Sequence, residues 1–491
     1  MTLYISTRGN KEKITSSSAI IRGLAPDRGL YVPDSIPSLP CELKALTDTP
    51  YKEVSKKILK TFLTDFTDGE INRCADEAYD EKFDTASIAP IVKTDKAYFL
   101  ELWHGSTAAF KDMALSILPW LLKTSLVKEG EDKKIAVLTA TSGDTGKAAL
   151  AGFADVAGTE IIVFYPKDGV SIVQERQMVT QSGDNVHVYG IKGNFDEAQT
   201  GVKNVFNDVI FEKELAEKNI RLSSANSINI GRLVPQVAYY VNAYAKMLAQ
   251  NEIKDGEKIN ICVPTGNFGN ILAAWYAKKM GLPVAKLICA SNENNILTDF
   301  INTGIYDRRR EFVLTSSPSM DILVSSNLER LLYHLCGNDS DRINVLMSQF
   351  EKEGYYDVGA DIKENLSDLY GGCTEMSKSH SALAKLWKEE RYLIDTHTAV
   401  AYAVYLDYLE KTGDKTKTLI ASTASPFKFA GSVAKAIGID VNENEFQTIE
   451  NLSKETGLSV PICLSALDKI PVLHDSVIEK TEIKNAVEEA L

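Results

Sequence analysis

Short, continuously apolar segments alternate with helical patterns along most of the chain after residue 130. Segments that are apolar at every position, not at alternate positions, are typical of strands in sheets covered on both faces. Alternation of such strands with helices predicts an α/β fold with mainly parallel sheets. The predicted strands are Lys134–Ala140, Glu160–Pro166, Val186–Ile191, Lys258–Thr265, Ala285–Ser291, Tyr392–Asp395 and Lys417–Thr423.

The predicted strands fall into two groups, 134–191 and 258–423, which indicates two doubly wound units. The residues before them are rich in polar turns, with helix predicted from about Tyr51 to Ala78. A helix-rich polar block interrupts the second group and resembles an insertion. We therefore expect an N-terminal domain at 1–95, a small α/β domain at 96–225, and a large α/β domain at 226–491 with the insertion at about 295–390.

Composition and charge narrow the class of protein. The chain has 491 residues, of which 44% are hydrophobic and 25% charged, as in ordinary globular proteins. A net charge of −13 argues against a nucleic-acid partner and against an anionic membrane surface. No apolar run approaches the roughly 18 residues of a transmembrane helix, and no secretory-signal pattern opens the chain. We expect a cytoplasmic protein without a membrane partner.

Cysteine and histidine spacing indicates neither disulfides nor a metal. The seven cysteines are scattered and contain no CxxC pair. The six histidines are equally dispersed, and the close pair His334 and Cys336 matches no zinc signature. We expect reduced thiols and no metal site.

Ligands of open α/β sheets bind in the turns that follow the strands. Gly266-Asn267-Phe268-Gly269-Asn270 follows one predicted strand and opens a helix. Glycines allow backbone N–H groups to approach an anion, and a helix N-terminus attracts it, so this turn suits a phosphate. A tight turn that binds nothing is the alternative.

The turn at 139–147 (TATSGDTGK) follows another predicted strand and only superficially resembles a nucleotide-binding P-loop. Thr141 stands at the first glycine position, and Ala148 follows Lys147 where a hydroxyl residue is required. Hydroxyl and N–H groups at a helix start suit a carboxylate instead. Simple helix capping by Ser142 or Asp144 is the alternative.

Three further segments carry candidate chemistry. Lys111 opens an apolar helical segment, where its amine becomes a nucleophile or base if the ammonium form is destabilised; a snorkelling lysine is the alternative. The segment 226–236 (NSINIGRLVPQ) offers amides, a serine and Arg232, which suit a phosphate ester unless it is a solvated helix start. Thr423, after the last predicted strand, presents a hydroxyl to a ligand or belongs to an ordinary helix cap.

These motifs occur in an order that resembles threonine synthase, a pyridoxal-phosphate enzyme of the tryptophan-synthase β-like fold, in its long form. The resemblance covers nearly the whole chain. Its blocks are STRG (6–9), GLAPDRGLYVP (23–33), HGSTAAFKD (104–112), TSGDTG (141–146), NSINIGRLVPQ (226–236), PTGNFGN (264–270), SPSMDI (317–322), DTHTAV (395–400) and STASPFKF (422–429). The chain departs from the family pattern at Arg28, Ser106, Thr396 and Ser425, the last standing where the family usually has a histidine beside the coenzyme ring.

The resemblance implies a role for each candidate residue. Lys111 corresponds to the Schiff-base lysine. Residues 266–270 correspond to the coenzyme phosphate loop, Thr423 to the partner of the pyridine nitrogen, and Asp144 to the neighbour of the phenolic oxygen. The substrate carboxylate is assigned to Ser142, Gly143 and Thr145, and the substrate phosphate to Asn226, Ser227 and Arg232.

The implied reaction converts O-phospho-L-homoserine and water to L-threonine and phosphate, the last step of threonine biosynthesis. The coenzyme serves as electron sink, and Lys111 moves the protons. A second pyridoxal-phosphate reaction, such as a dehydratase or β-replacement, and a non-catalytic metabolite-binding paralogue are the alternatives. The expected partner is the small-molecule substrate, and no nucleic acid is expected to bind. The protein is expected to be a monomer or a homodimer.

Overall fold

A computed structural model describes the whole chain, Met1–Leu491. Its strands are β1 (Tyr4–Ser6), β2 (Tyr31–Pro33), β3 (Ile91–Lys93), β4 (Tyr98–Glu101), β5 (Lys134–Ala140), β6 (Thr159–Pro166), β7 (Val186–Lys192), β8 (Ile220–Ser224), β9 (Ile259–Pro264), β10 (Val284–Ser291), β11 (Ile305–Asp307), β12 (Tyr355–Asp357), β13 (Leu369–Cys373), β14 (Thr418–Ser422) and β15 (Val477–Glu479).

The α-helices are α1 (Ser16–Arg22), α2 (Tyr51–Phe62), α3 (Asp68–Ala78), α4 (Asp112–Leu115), α5 (Leu118–Lys128), α6 (Asp144–Phe153), α7 (Ile172–Val179), α8 (Phe195–Asn207), α9 (Val209–Glu217), α10 (Ile230–Ala249), α11 (Gly269–Met280), α12 (Ile296–Thr303), α13 (Leu328–Leu335), α14 (Ser340–Glu353), α15 (Gly359–Asn365), α16 (Met376–Glu390), α17 (Thr396–Thr412), α18 (Ala430–Ala436), α19 (Glu445–Thr456) and α20 (Ile483–Ala490). None of these helices has both the length and the apolar character that a membrane crossing requires.

Two sheets with mainly parallel strands organise the fold, as the strand pattern predicts. One has the order β13-β10-β9-β14-β4-β3 and is parallel except at the edge strand β3. The other has the order β15-β7-β6-β5-β8 and is parallel throughout. The predicted α/β class and the two doubly wound units are therefore confirmed.

One local prediction is wrong. No strand forms at Tyr392–Asp395, because Asp395 instead caps α17 by accepting bonds from the backbone N–H groups of His397 and Thr398. The region predicted as helical from about Tyr51 to Ala78 is helical, with a break between α2 and α3. The break follows from Thr67, whose side chain starts α3 through a reciprocal capping box with Glu70.

Two segments lie in a different sheet from the one that the predicted boundaries imply. Strand β4, at the start of the predicted small domain, pairs with β14 in the six-stranded sheet. Strand β15, near the end of the predicted large domain, pairs with β7 in the five-stranded sheet. Because a strand joins whichever edge its backbone can reach, sequence proximity alone did not reveal these pairings.

The 295–390 block is tied to both the six-stranded sheet and the site. Strand β13, inside the block, is the edge strand beside β10. Helix α10, buried at every residue from Ile230 to Ala245, packs against α2 and α11. Because α10 is buried on all sides, it belongs to the core, and it joins the N-terminal helix α2 to α11.

Candidate active site

The candidate turns converge because they follow the carboxyl ends of parallel strands. In the six-stranded sheet, β4, β9 and β14 lead into the segments that carry Lys111, Gly266 and Thr423. In the five-stranded sheet, β5 and β8 lead into the segments of Asp144 and Asn226. The two sheets are joined at this point by Asp144 and Lys428, whose carboxylate oxygen and ammonium nitrogen lie 3.1 Å apart.

Lys111 lies just before α4 with its amine directed inward. Its Nζ atom is 3.9 Å from Asp144 Oδ2 and 5.1 Å from the centre of the Phe110 ring. Burial lowers the pKa of Lys111 to about 8, although the carboxylate of Asp144 opposes that shift. The structure therefore supports a reactive amine and not a snorkelling, solvated lysine.

Asp144 is a buried carboxylate with donors on both oxygens. Oδ1 accepts a hydrogen bond from Gln174 Nε2 at 2.8 Å and pairs with Lys428 Nζ. Oδ2 accepts from Ser319 Oγ at 3.3 Å and faces Lys111. Burial would raise the pKa of Asp144, but the charges of Lys428 and Lys111 hold it well below its usual range. Asp144 is therefore a fixed anion beside Lys111.

The loop between β5 and α6 is organised around Thr141. Its Oγ1 accepts from the N–H groups of Gly143 and Gly146, at 3.0 and 2.9 Å. Gly143 precedes α6 with a φ of 138°, which favours glycine, and neither neighbouring side chain caps the helix. The capping alternative for Ser142 and Asp144 is therefore wrong, and the exposed side chain of Ser142 is available to a ligand.

The 266–270 loop has the properties of an anion cradle. None of its backbone N–H groups donates to a backbone carbonyl, and α11 begins at Gly269. Phe268 adopts the left-handed conformation, with a φ of 61°. Asn270 Oδ1 accepts hydrogen bonds from Tyr239 at 2.8 Å and from Tyr240, whereas the buried Asn270 Nδ2 has no partner. These donors can bind a phosphate that the chain itself does not supply.

Arg232 is a buried cation without a carboxylate partner. Its Nη1 donates to the carbonyl of Ala225 at 2.8 Å, and its buried Nε has no acceptor. Burial lowers the pKa of Arg232 to about 10. A guanidinium in this state favours a dianionic ligand, so this start of α10 is not the solvated helix start that was the alternative.

Asn327, in the 295–390 block, bridges the two candidate anion sites. Its side-chain nitrogen donates to Asn267 O at 3.0 Å and to Ser227 Oγ at 3.3 Å. Nearby, Ser325 Oγ donates to Gly266 O at 2.8 Å. The block therefore fixes the spacing between the 266–270 loop and the 226–232 segment.

Arg330 secures this bridge to the N-terminal portion. Its fully buried guanidinium donates to the carbonyl of Tyr31 at 2.9 Å, to the carbonyl of Ile228 and to Asn327 Oδ1. Since the bonds to Tyr31 and Asn327 are buried, loss of the donor leaves these two acceptors unsatisfied.

Arg330→Met should therefore lower the free energy of unfolding by about 3 kcal/mol. Urea unfolding followed by circular dichroism measures the change. Arg309→Met is the matched control, because Arg309 is an exposed arginine paired with Asp307 and should cost less than about 1 kcal/mol. Equal midpoints for the two variants would contradict the role given to Arg330.

Thr423 and Ser425, which follow β14, differ in role. Thr423 is buried, and its carbonyl accepts from Phe110 N at 2.8 Å, which ties it to the Lys111 segment. Ser425 is fully buried, and its Oγ caps the short 3₁₀ turn Pro426–Phe429 by accepting from Phe427 N. The helix-cap alternative therefore holds for Ser425, while the hydroxyl of Thr423 is left for a ligand.

Four side chains that contact this site have no role predicted from sequence: Lys428, Ser319, Gln174 and Asn327. Lys428 and Ser319 lie inside motifs of the resemblance, but only tertiary structure brings them to Asp144. Gln174 was detectable only as part of a capping box with Ser171 at the start of α7. Asn327 carried no detectable signal.

Comparison with known proteins gives consistent matches along the chain. Family models described as threonine synthase N terminus, pyridoxal-phosphate dependent enzyme, and threonine synthase C-terminal match residues 3–79, 85–346 and 398–458. Threonine synthase of Saccharomyces cerevisiae is 33% identical over 100% of this chain and 98% of its own length. A crystal structure of threonine synthase from Brucella melitensis with bound pyridoxal phosphate is 33% identical, covers 100% and 99% of the two chains, and gives a TM-score of 0.89.

Threonine synthase-like 1 of Homo sapiens is 37% identical over 99% of this chain. The match covers 66% of that protein, so the chain spans about two thirds of the length of this relative.

Proposed function

Because the chain belongs to the threonine synthase family of pyridoxal-phosphate-dependent enzymes, we propose that it converts O-phospho-L-homoserine and water to L-threonine and phosphate. The observation that carries the proposal is Arg232, a buried guanidinium with an unpartnered Nε and no carboxylate beside it. A reaction on an unphosphorylated amino acid has no use for that cation. A phosphate ester would form charge-assisted hydrogen bonds with it.

The polar groups of the site match those of pyridoxal phosphate. The 266–270 loop offers unpaired N–H groups and the unpartnered Asn270 Nδ2 for the coenzyme phosphate. The hydroxyl of Thr423 would face the pyridine nitrogen, and Asp144 the phenolic oxygen. When bound, the coenzyme withdraws electrons from the carbon atoms next to the substrate amine.

We assign Lys111 as the base that removes a proton from the substrate. Its amine would take the proton from the substrate Cα atom and move protons at Cβ and Cγ, because a pKa near 8 suits both removal and return of a proton near neutral pH. The hydroxyl of Thr423, unlike a carboxylate, would not hold the pyridine nitrogen of a bound coenzyme protonated. We expect this to limit transamination.

The substrate would be held by its two anionic ends. Ser142, Gly143 and Thr145 would bind the carboxylate at the N-terminus of α6, where the helix dipole favours an anion. Asn226, Ser227 and Arg232 would bind the phosphate. Asn327, which bonds to both Ser227 and the 266–270 loop, would keep the two phosphates at a fixed separation.

Incubation of the purified, coenzyme-loaded protein with O-phospho-L-homoserine tests the proposal. Equal amounts of free phosphate and threonine are the expected products. A 2-oxo acid with ammonia would instead identify a dehydratase-like reaction, and tight binding without turnover would identify a metabolite-binding protein. Either result would reject the assigned reaction while leaving the family unchanged.

We also propose that the enzyme acts in the cytoplasm as a monomer or homodimer. Seven free cysteines, several of them buried, are typical of proteins kept in a reducing compartment. Sedimentation of the purified protein distinguishes the two oligomeric states.

A further inference from the structure

A second buried lysine shares the carboxylate that faces Lys111. Lys428 follows β14 in the six-stranded sheet, and its side chain is fully shielded from water. Its ammonium lies 3.1 Å from Asp144 Oδ1 and donates to the carbonyl of Thr107 at 2.7 Å. Burial of an ammonium group costs free energy unless the group is paired with an acceptor or an anion. The pairing of Lys428 with Asp144 therefore stabilises the buried charge.

The two lysines approach different oxygens of Asp144. Lys428 and Gln174 occupy Oδ1, whereas Ser319 and Lys111 lie on the Oδ2 side. Lys428 is closer to the carboxylate than Lys111 by 0.8 Å, from 3.1 against 3.9 Å. Lys428 therefore compensates most of the negative charge of Asp144. Only a smaller part of that charge acts on the amine of Lys111.

We propose that Lys428 is a positioning residue for coenzyme attachment: by taking up the charge of Asp144, it leaves the amine of Lys111 available as a free base near neutral pH. The inference rests on the proposed role of Lys111 as the coenzyme lysine. Lys428 itself does not react, because its ammonium is enclosed and already paired on both sides.

Other charges near Lys111 do not replace this effect. Arg232 on α10 also disfavours the ammonium form of Lys111, whereas Asp112, in the next position, favours it. His397 on α17 acts on Asp144 and contributes to the lowering of its pKa. All three remain in place when Lys428 is changed, so the effect of Lys428 can be measured separately.

The test is the pH dependence of coenzyme uptake by the coenzyme-free, full-length protein. Only the unprotonated amine of Lys111 condenses with the coenzyme aldehyde, with release of water, so the uptake rate rises through the pKa of Lys111. Absorbance of the bound coenzyme follows the rate, and borohydride reduction with peptide mapping verifies that Lys111 is the residue labelled. The wild-type midpoint should lie near pH 8.

Lys428→Gln should move that midpoint upward by about one pH unit, a tenfold loss of uptake rate near pH 7. Glutamine retains hydrogen-bonding capacity but removes the positive charge, so Asp144 then stabilises the ammonium form of Lys111 alone. Lys428→Arg keeps the charge and should keep the wild-type midpoint. Lys246→Gln, which removes a lysine bonded only to the carbonyls of Thr47 and Thr49, should also leave it unchanged.

An unshifted midpoint in Lys428→Gln, or an equal shift in Lys428→Arg, would overturn the inference. If Lys428→Gln does not fold, Asp144→Asn tests the same charges from the other side. Its midpoint should fall, because Lys111 then retains the positive neighbours Lys428 and Arg232 without the carboxylate, and an unchanged or higher midpoint would reject the proposal. Since uptake is measured without substrate, failure to form threonine would leave this result intact.

Discussion

Lys111→Ala should abolish the visible absorbance of the covalently attached coenzyme and lower threonine formation by at least about 10³-fold. The expectation follows from the geometry: the amine of Lys111 faces Asp144, has a pKa near 8 and opens onto the site. Alanine removes both the attachment point and the base that we assign to the substrate Cα proton. The measurements are the absorbance spectrum and the initial rate with O-phospho-L-homoserine.

Lys246→Ala is the control for this experiment, because it removes a lysine whose ammonium bonds only to carbonyls of the N-terminal portion. It should retain the spectrum and the rate. Borohydride-fixed coenzyme on the Lys111→Ala protein, together with preserved turnover, would show that another amine, such as that of Lys428, does this chemistry. Thermal unfolding of both variants shows whether the loss reflects the site or the fold.

Arg232→Ala should lower kcat/KM for O-phospho-L-homoserine by about 10²–10³-fold, mainly through a higher KM, while leaving the coenzyme spectrum unchanged. Arg232 offers an unpartnered Nε and no neighbouring carboxylate competes for its charge. Its loss therefore removes two or so charge-assisted bonds to the substrate phosphate. Steady-state kinetics and a coenzyme titration measure the two quantities.

The selectivity of the Arg232 variant separates a binding role from a general disturbance. The phosphorylated substrate should lose most of its advantage over homoserine as a competing ligand, because only the ester carries the phosphate. Arg221→Ala, at a partly buried arginine paired with Glu131, is the control and should behave as wild type. Equal losses of coenzyme and substrate affinity in Arg232→Ala would contradict the assignment.

Local features of this protein were accessible from sequence. The strand Lys134–Ala140 was predicted with its observed bounds, because a buried parallel strand is a nearly continuous apolar run. The 266–270 loop could be predicted as an anion site because its donors are backbone groups of consecutive residues after a strand. The resemblance gave the family, which the comparisons establish.

Contacts between segments that are distant in the chain could not be predicted from the sequence. The residues of Tyr392–Asp395 have strand-like composition, but Asp395 finds helix N–H groups to cap and no strand forms. Strands β4 and β15 cross to the sheet that sequence proximity did not suggest, since pairing depends on which edge is within reach. Asn327 bridges two loops from a segment that carries no motif.

The sequence by itself determined the fold class, and it predicted the ligand-binding turns and the role of Lys111, because each depends on neighbouring residues or on a motif. Only the tertiary structure decided how these groups are charged. Burial of Arg232 without a carboxylate, and the sharing of Asp144 between Lys111 and Lys428, both depend on residues distant in sequence. Electrostatic interactions depend on distance and on exclusion of water, neither of which the order of residues specifies.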